Sequence, residues 1–161
     1  MNYFTIFTSP LGKITIQANQ TQLLGLWFET HTTMPDALGE RYDDHPVLFA
    51  AKEQLAEFFT GQRTQFELPL KTQGTDFQQR VWRALQDIPF GETWSYKQLA
   101  EHIGKPKAVR AVGAANGKNP ISVIIPCHRV VANDGRLSGY AGGVERKRAL
   151  LDLEKSTQTT N

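Results

Sequence analysis

The chain has 161 residues, 40% of them hydrophobic, 10% aromatic and 21% charged, which fits one globular domain or two small ones and excludes a disordered chain. No apolar run approaches the roughly 18 residues that span a bilayer, and the opening Met1-Asn2-Tyr3-Phe4-Thr5 lacks the basic flank and apolar stretch of a signal peptide. A single cysteine, Cys127, excludes an internal disulfide and the cysteine-rich zinc sites, so the expectation is a soluble cytoplasmic protein with no metal or cofactor.

In chain order, the opening reads as a β-meander. Tyr3–Ser9 and Lys13–Ala18 alternate apolar and polar residues around a Ser9-Pro10-Leu11-Gly12 turn, and Leu23–Phe28 is a third apolar stretch. Leu48, Ala51, Leu55 and Phe58 follow helical spacing, with Gly61 placed for a C-cap. Gln65–Leu70 reads as a strand, and Lys71-Thr72-Gln73-Gly74 as the joint between a domain over 1–74 and a domain over 75–161. Thr75 and Gln78 form a capping box for a helix with Phe77, Val81, Leu85 and Ile88 on one stripe. Ser95 and Gln98 form a second box, for a short helix closed by Gly104. Pro106–Ala115 reads as a further helix, and the pair, joined by a turn of about three residues, makes a helix-turn-helix. The continuous apolar run Ile121–Ile125 reads as a buried strand ended by Pro126. Asn133-Asp134-Gly135 offers a tight turn and Ser138–Gly143 a glycine-containing loop. Glu145–Glu154 is the last helix, and the polar tail Ser156–Asn161 is expected to fray.

The net charge of +2 conceals an asymmetry between these halves. Residues 1–74 carry five Lys/Arg against eight Asp/Glu, a net of −3, and residues 75–161 carry thirteen against eight, a net of +5. A basic half fits a polyanion partner, with a merely solvated basic face as the alternative. The second helix of the pair is unusually small-sided: Ala111, Ala114 and Gly117 leave a flat exposed stripe with Arg110 as its one large side chain. Base reading in the major groove needs several long polar side chains, so this helix suits sequence-indifferent docking, with tight helix packing as the alternative.

Lone cysteines are usually small buried hydrophobes. Cys127, however, ends the apolar run and is followed directly by His128 and Arg129, both able to favour thiolate by charge or by taking the proton. In a regular strand Cys127 and His128 would point to opposite faces, so Pro126 must break the strand before they can share a site.

The string Pro126-Cys127-His128-Arg129-Val130, with Asn119-Pro120 upstream, resembles the alkyl-acceptor signature of the O6-alkylguanine-DNA alkyltransferases. Phe77-Gln78, Val81-Trp82, Gly91-Glu92, Ser95-Tyr96, Arg110–Gly113 and Gly139–Gly143 are similar to that family in order and spacing, strongly over 75–154 and only in layout before that. The resemblance implies an N-terminal ribonuclease-H-like α/β domain followed by a mainly α, winged-helix-like domain. It implies direct-reversal repair: the alkyl group of O6-alkylguanine, or of O4-alkylthymine, passes irreversibly to Cys127, once per molecule. His128 would take the thiol proton through a water, Glu154 would orient His128, and Asn119 would hold the cysteine turn. Tyr96 would donate toward the departing base, the carbonyls of Cys127 and Val130 would accept from its amine, and the Ala141 amide would lie near O6. Tyr140 and Gly142 would shape the pocket, Arg110 would enter the base stack, and Thr75, Ser95, Lys107 and Ala111 would meet the DNA. The implied partner is double-stranded DNA bound largely without sequence preference by a monomer. Where some relatives carry a serine, this chain has Ala141, so only a backbone contact carries over there.

The chemistry fits such a role. Lowering a thiol pKa from about 8.5 to about 6 raises the thiolate fraction roughly 30-fold, but nucleophilicity takes back about tenfold, so positioning and leaving-group protonation matter as much. The buried target base must be flipped out at a cost of a few kcal/mol, which phosphate contacts can offset. Two other readings remain: a cysteine hydrolase using Cys127, His128 and Glu154, and a non-catalytic winged-helix DNA-binding module.

Overall fold

The computed structural model describes residues 1–137 and 139–159, with side chains through Thr157. The expectations at Ser138, Thr160 and Asn161 lie outside the described residues.

The first half is a meander of β1 (Tyr3–Ser9), β2 (Gly12–Ala18) and β3 (Leu23–Phe28), in register with Thr5 opposite Ile16 and Ile14 opposite Phe28. Its first turn is made by Ser9, whose hydroxyl accepts from Leu11 N–H at 3.1 Å and donates to the Gly12 carbonyl at 2.7 Å, and by Gly12 at φ +115°. A two-residue β4 (Glu40–Arg41), too short to leave a periodic signal, pairs parallel with β1 and completes the order β3-β2-β1-β4. Helix α1 (Pro46–Phe59) buries Leu48, Ala51, Leu55 and Phe58, the predicted stripe, and packs on β1 and β2.

Gln65–Leu70 does not form the expected strand. Only Leu70 bridges to Leu23, through Leu23 N–H to the Pro69 carbonyl (2.7 Å) and Lys71 N–H to the Leu23 carbonyl (2.9 Å). The proline lacks the donor that a continuing ladder needs.

The second half is mostly helical: α2 (Asp76–Leu85), α3 (Tyr96–His102), α4 (Val109–Gly117) and α5 (Val144–Thr159). Both capping boxes form as the sequence predicts, Thr75 with Gln78 and Ser95 with Gln98. Trp82 Nε1 donates to the Ala115 carbonyl at 2.8 Å and binds α2 to α4. Helix α4 starts at Val109, not Pro106. Lys105–Ala108 folds instead as a turn closed by Ala108 N–H to the Lys105 carbonyl (2.9 Å), with the proline in the second position that such turns favour. The α3–α4 connection, Ile103–Ala108, is accordingly twice the expected length. Helix α5 runs past Ser156, where fraying was expected, to Thr159.

The largest departure is Ile121–Ile125. The run is buried, but only Ile121 pairs with a strand, bridging Leu26. The rest coils tightly, with Ile124 N–H on the Ser122 carbonyl (2.8 Å) and Ile125 N–H on the Ile121 carbonyl (2.9 Å). An apolar run reports burial, and burial alone does not specify a strand. One apolar core runs from the inner faces of β2 and β3 through Ile121, Val123 and Ile125 to α2, α3 and α5. Among the described residues, no helix is long and apolar enough to cross a membrane.

Candidate active site and nucleic-acid interface

Cys127 opens a single 3₁₀ turn, Cys127–Arg129, set by Cys127 N–H on the Ile125 carbonyl (2.8 Å) and Arg129 N–H on the Pro126 carbonyl (3.0 Å). Successive side chains there diverge by about 120° instead of the 180° of a strand, which removes the obstacle to Cys127 and His128 serving one site. Asn119 closes the preceding loop at both ends. Its Nδ2 donates to the Ile125 carbonyl (2.8 Å), and its Oδ1 accepts from Ile121 N–H (3.0 Å). Val123 within this loop has φ +70°, the one non-glycine in that region among the described residues. For a β-branched side chain this is a strained conformation that neighbours must enforce. Beyond the turn, β6 (Val130–Val131) pairs parallel with β5 (Trp94–Ser95), so the cysteine turn lies directly against the start of α3 and Tyr96.

His128 and Glu154 are fully buried, with His128 Nε2 2.7 Å from Glu154 Oε2. The carboxylate also takes both arms of Arg129 (Nε to Oε1 2.9 Å, Nη2 to Oε2 3.0 Å) and the Gly91 N–H (3.2 Å). Burial would raise the Glu154 pKa, but the His128 and Arg129 interactions overcome it and hold the group down at about 2. Glu154 is therefore an acceptor only, the shared proton sits on His128 Nε2, and Nδ1 remains the basic nitrogen. Nδ1 is buried and has no hydrogen-bond partner among the described residues. Burial depresses the His128 pKa against the pull of Glu154, so the imidazole is neutral and able to accept a proton.

Arg129 corrects an expectation. Its guanidinium is committed to Glu154 and, through Nη1, to the Ile88 carbonyl (2.8 Å), so it fixes the carboxylate and does not serve the thiol. Burial pushes the Cys127 thiol up; hydrogen bonds from Asn119 and Ser122 and the charge of Lys147 pull it partly back. Lys147 is a residue of the candidate site that sequence reasoning missed. It is fully buried, its Nζ lies 5.9 Å from the centre of the Tyr96 ring, and burial lowers its pKa to about 8 despite the opposing pull of Cys127. The available signal was its position. Arg146 and Lys147 sit in the first turn of α5, where a cation opposes the helix dipole.

Tyr96 is half-buried, its pKa raised by burial and by Cys127, so its phenol stays a donor. A Cβ on Gly139 would lie 3.2 Å from its hydroxyl. Tyr140 is buried, shares a 2.7 Å hydrogen bond with Ser122 Oγ, and its pKa is raised well above the usual value by burial and by Cys127. Residues 139 and 140 thus border the same space as Cys127 and Tyr96. Gly142 is buried and cannot carry a side chain, because a Cβ would come within 2.4 Å of the Tyr140 ring. The Cys127 carbonyl already accepts from Val130 N–H and, at 3.5 Å, from Asn116 Nδ2.

On α4, Arg110, Ala111 and Ala114 are exposed while Val112, Ala115 and Asn116 are buried, so the flat stripe with one long side chain faces outward. Thr75 and Lys107 are exposed, and Ser95 is half-buried with its hydroxyl capping α3. None of the three touches the cysteine turn through a side-chain hydrogen bond among the described residues.

The two halves match two parts of one family. Residues 76–156 match the family described as 6-O-methylguanine DNA methyltransferase, DNA binding domain, and residues 2–72 its ribonuclease-like domain. The chain is 47% identical to the methylated-DNA--protein-cysteine methyltransferase of Mycobacterium tuberculosis H37Rv over 97% of this chain and 94% of that one. It is 42% identical to the constitutive enzyme of that name from Bacillus subtilis, over 96% of each. Among solved structures, the M. tuberculosis O6-methylguanine methyltransferase superposes with a TM-score of 0.88 at 44% identity, covering 98% of this chain and 94% of that one. The M. tuberculosis protein in complex with DNA superposes at 0.86 and 45% identity, covering 96% and 94%. With both parts present in order and nearly the whole length aligned, this chain belongs to the 6-O-methylguanine DNA methyltransferase family.

Proposed function

We propose that the protein repairs double-stranded DNA in the cytoplasm by moving the alkyl group of O6-alkylguanine onto its own Cys127, as a monomer and once per molecule. The observation that carries this reading is the buried cysteine turn backed by a neutral His128 whose Nδ1 is free to take a proton, within a basic helix-turn-helix half. In the transfer, the thiol proton leaves through a water to His128 Nδ1, the sulfur–carbon bond forms, and the carbon–O6 bond breaks. Glu154 and Arg129 hold the imidazole in the tautomer this needs, and the Lys147 ammonium favours the thiolate. Tyr96 donates toward the guanine ring so that the base departs neutral, and the Val130 and Cys127 carbonyls and the Ala141 amide read its edge. Arg110 fills the stack after flipping, on a stripe of small residues that lets the helix backbone approach the duplex. Thr75, Ser95, Lys107 and Ala111 contact the DNA. A thioether offers water no easy route of cleavage, so the reaction stops at one turnover.

The test is intact-mass spectrometry after incubation with a duplex carrying one O6-methylguanine. The expected result is a gain of about 14 Da on the native chain, capped at one per molecule and absent in Cys127→Ser. A native chain that binds the duplex without mass gain overturns this reading.

A further inference from the structure

Arg146, at the start of α5, is spent on an unusual set of partners. Its Nε donates to the Leu11 carbonyl in the β1–β2 turn (2.8 Å), and its Nη1 donates to Thr30 Oγ1 and to the Gly142 carbonyl (3.2 Å each). Its guanidinium lies over the Phe28 ring, 4.8 Å from the centroid. The Thr30 hydroxyl in turn donates to the Ala141 carbonyl at 3.0 Å. Two consecutive carbonyls of the 139–143 loop are therefore held by Arg146 and the N-terminal half. The space for the clamp is built in: a Cβ on Gly12 would sit 3.0 Å from Arg146 Nη2, and one on Gly142 would sit 3.1 Å from the Phe28 ring. An arginine in the first turn of a helix opposes the dipole and could extend into water without loss, so its folding back is a placement that the fork geometry rewards.

We propose that Arg146 is a positioning residue that ties the 140–143 wall of the alkyl pocket to the N-terminal half and so limits the size of the alkyl group accepted. The inference rests on the alkyl-transfer reading above. Fixing the Ala141 and Gly142 carbonyls fixes the peptide planes of the wall, and with them its distance from the sulfur. With the tie released, the wall can retreat: a bulky group gains room, and a methyl group loses the close wall that aligns it.

The experiment compares single-turnover rates on duplexes carrying O6-methylguanine or O6-benzylguanine, read as adduct mass on Cys127, for native, R146A, R146K and T30V proteins, with thermal unfolding of each. In R146A the benzyl-to-methyl rate ratio is expected to rise roughly tenfold, the scale of one charge-assisted hydrogen bond. R146K, which keeps the charge but cannot span three oxygens, is expected between native and R146A, and T30V is expected to shift the ratio in the same direction by less. A purely structural role would lower both rates by one factor and leave the ratio unmoved. A ratio in R146A within about twofold of native overturns the proposal, a margin well inside that scale; should R146A not fold, T30V decides on the same criterion. Absence of any adduct on the native protein overturns the alkyl-transfer reading and this one together, whereas a normal native rate with an unmoved ratio overturns the tie alone.

Discussion

Residues 119–131 and residues 139–143 both border the reacting sulfur, yet they are held in opposite ways. The cysteine turn is fixed mainly from within its own half: Asn119 closes the loop, β6 pairs with β5, and Arg129 and His128 converge on Glu154. These ties are numerous enough to sustain Val123 in a left-handed conformation. The glycine loop is anchored through Tyr140 on one side and, across to the N-terminal half, through Arg146 and Thr30 on the other. The nucleophile must not move, because in-line geometry is the larger lever on its rate. The wall has a different task, accommodating the substrate, and contacts at its edge can tune it without disturbing the sulfur.

The contrast can be broken most severely at Arg129. R129M leaves the Glu154 carboxylate buried without its two-armed guanidinium partner, and should cost about 3–5 kcal/mol in urea unfolding. Acid reaches the same network by another route. Glu154 titrates at about 2 when folded against 4.5 ordinarily, so the unfolded chain takes up the proton first as pH falls. Its contribution, on the order of 3 kcal/mol, is complete above the ordinary value and is lost progressively down to the folded one. Unfolding free energies measured between neutral pH and that range should show this slope, and E154Q should flatten it. N119A orphans the Ile121 N–H and removes one of the two donors to the Ile125 carbonyl, which keeps the Cys127 N–H, and should cost about 2 kcal/mol, with slower transfer and unchanged affinity for undamaged duplex. Releasing the wall should be the mildest change, with T30V costing about 0.5–1 kcal/mol in the same unfolding assay. A T30V cost equal to that of N119A would erase the distinction between the two regions.

What was legible in the sequence was local. The two capping boxes, the α1 stripe and the β1–β2 turn depend on residues three or four apart, and each forms as the spacing predicts. The start of α4 was misread because a proline is as much at home inside a turn as in a first helical turn. Ile121–Ile125 was misread because an apolar run encodes burial, while its coiling is dictated by Asn119 and by the edge of β3. At the site, the motif around Cys127 named the nucleophile and its neighbours. The employment of Arg129 depends on Glu154, 25 residues away, and that of Arg146 on Leu11, 135 residues away, distances at which no periodicity speaks. Lys147 had a signal in its unfavourable end of a helix, which was legible in principle.

The edge of β3 carries a consequence for biosynthesis. Its outer hydrogen-bonding groups are covered near Leu23 by residues 69–71, but at Leu26 by Pro120 and Ser122, from the other half of the chain. Those residues emerge from the ribosome about fifty positions later, a delay of several seconds at the usual 5–20 residues per second. During that interval the nascent meander presents an unpaired apolar strand, the kind of edge that recruits another chain. The cysteine loop thus shields the N-terminal sheet against self-association as well as carrying the nucleophile, and a fragment ending at residue 74 should aggregate where the whole chain does not.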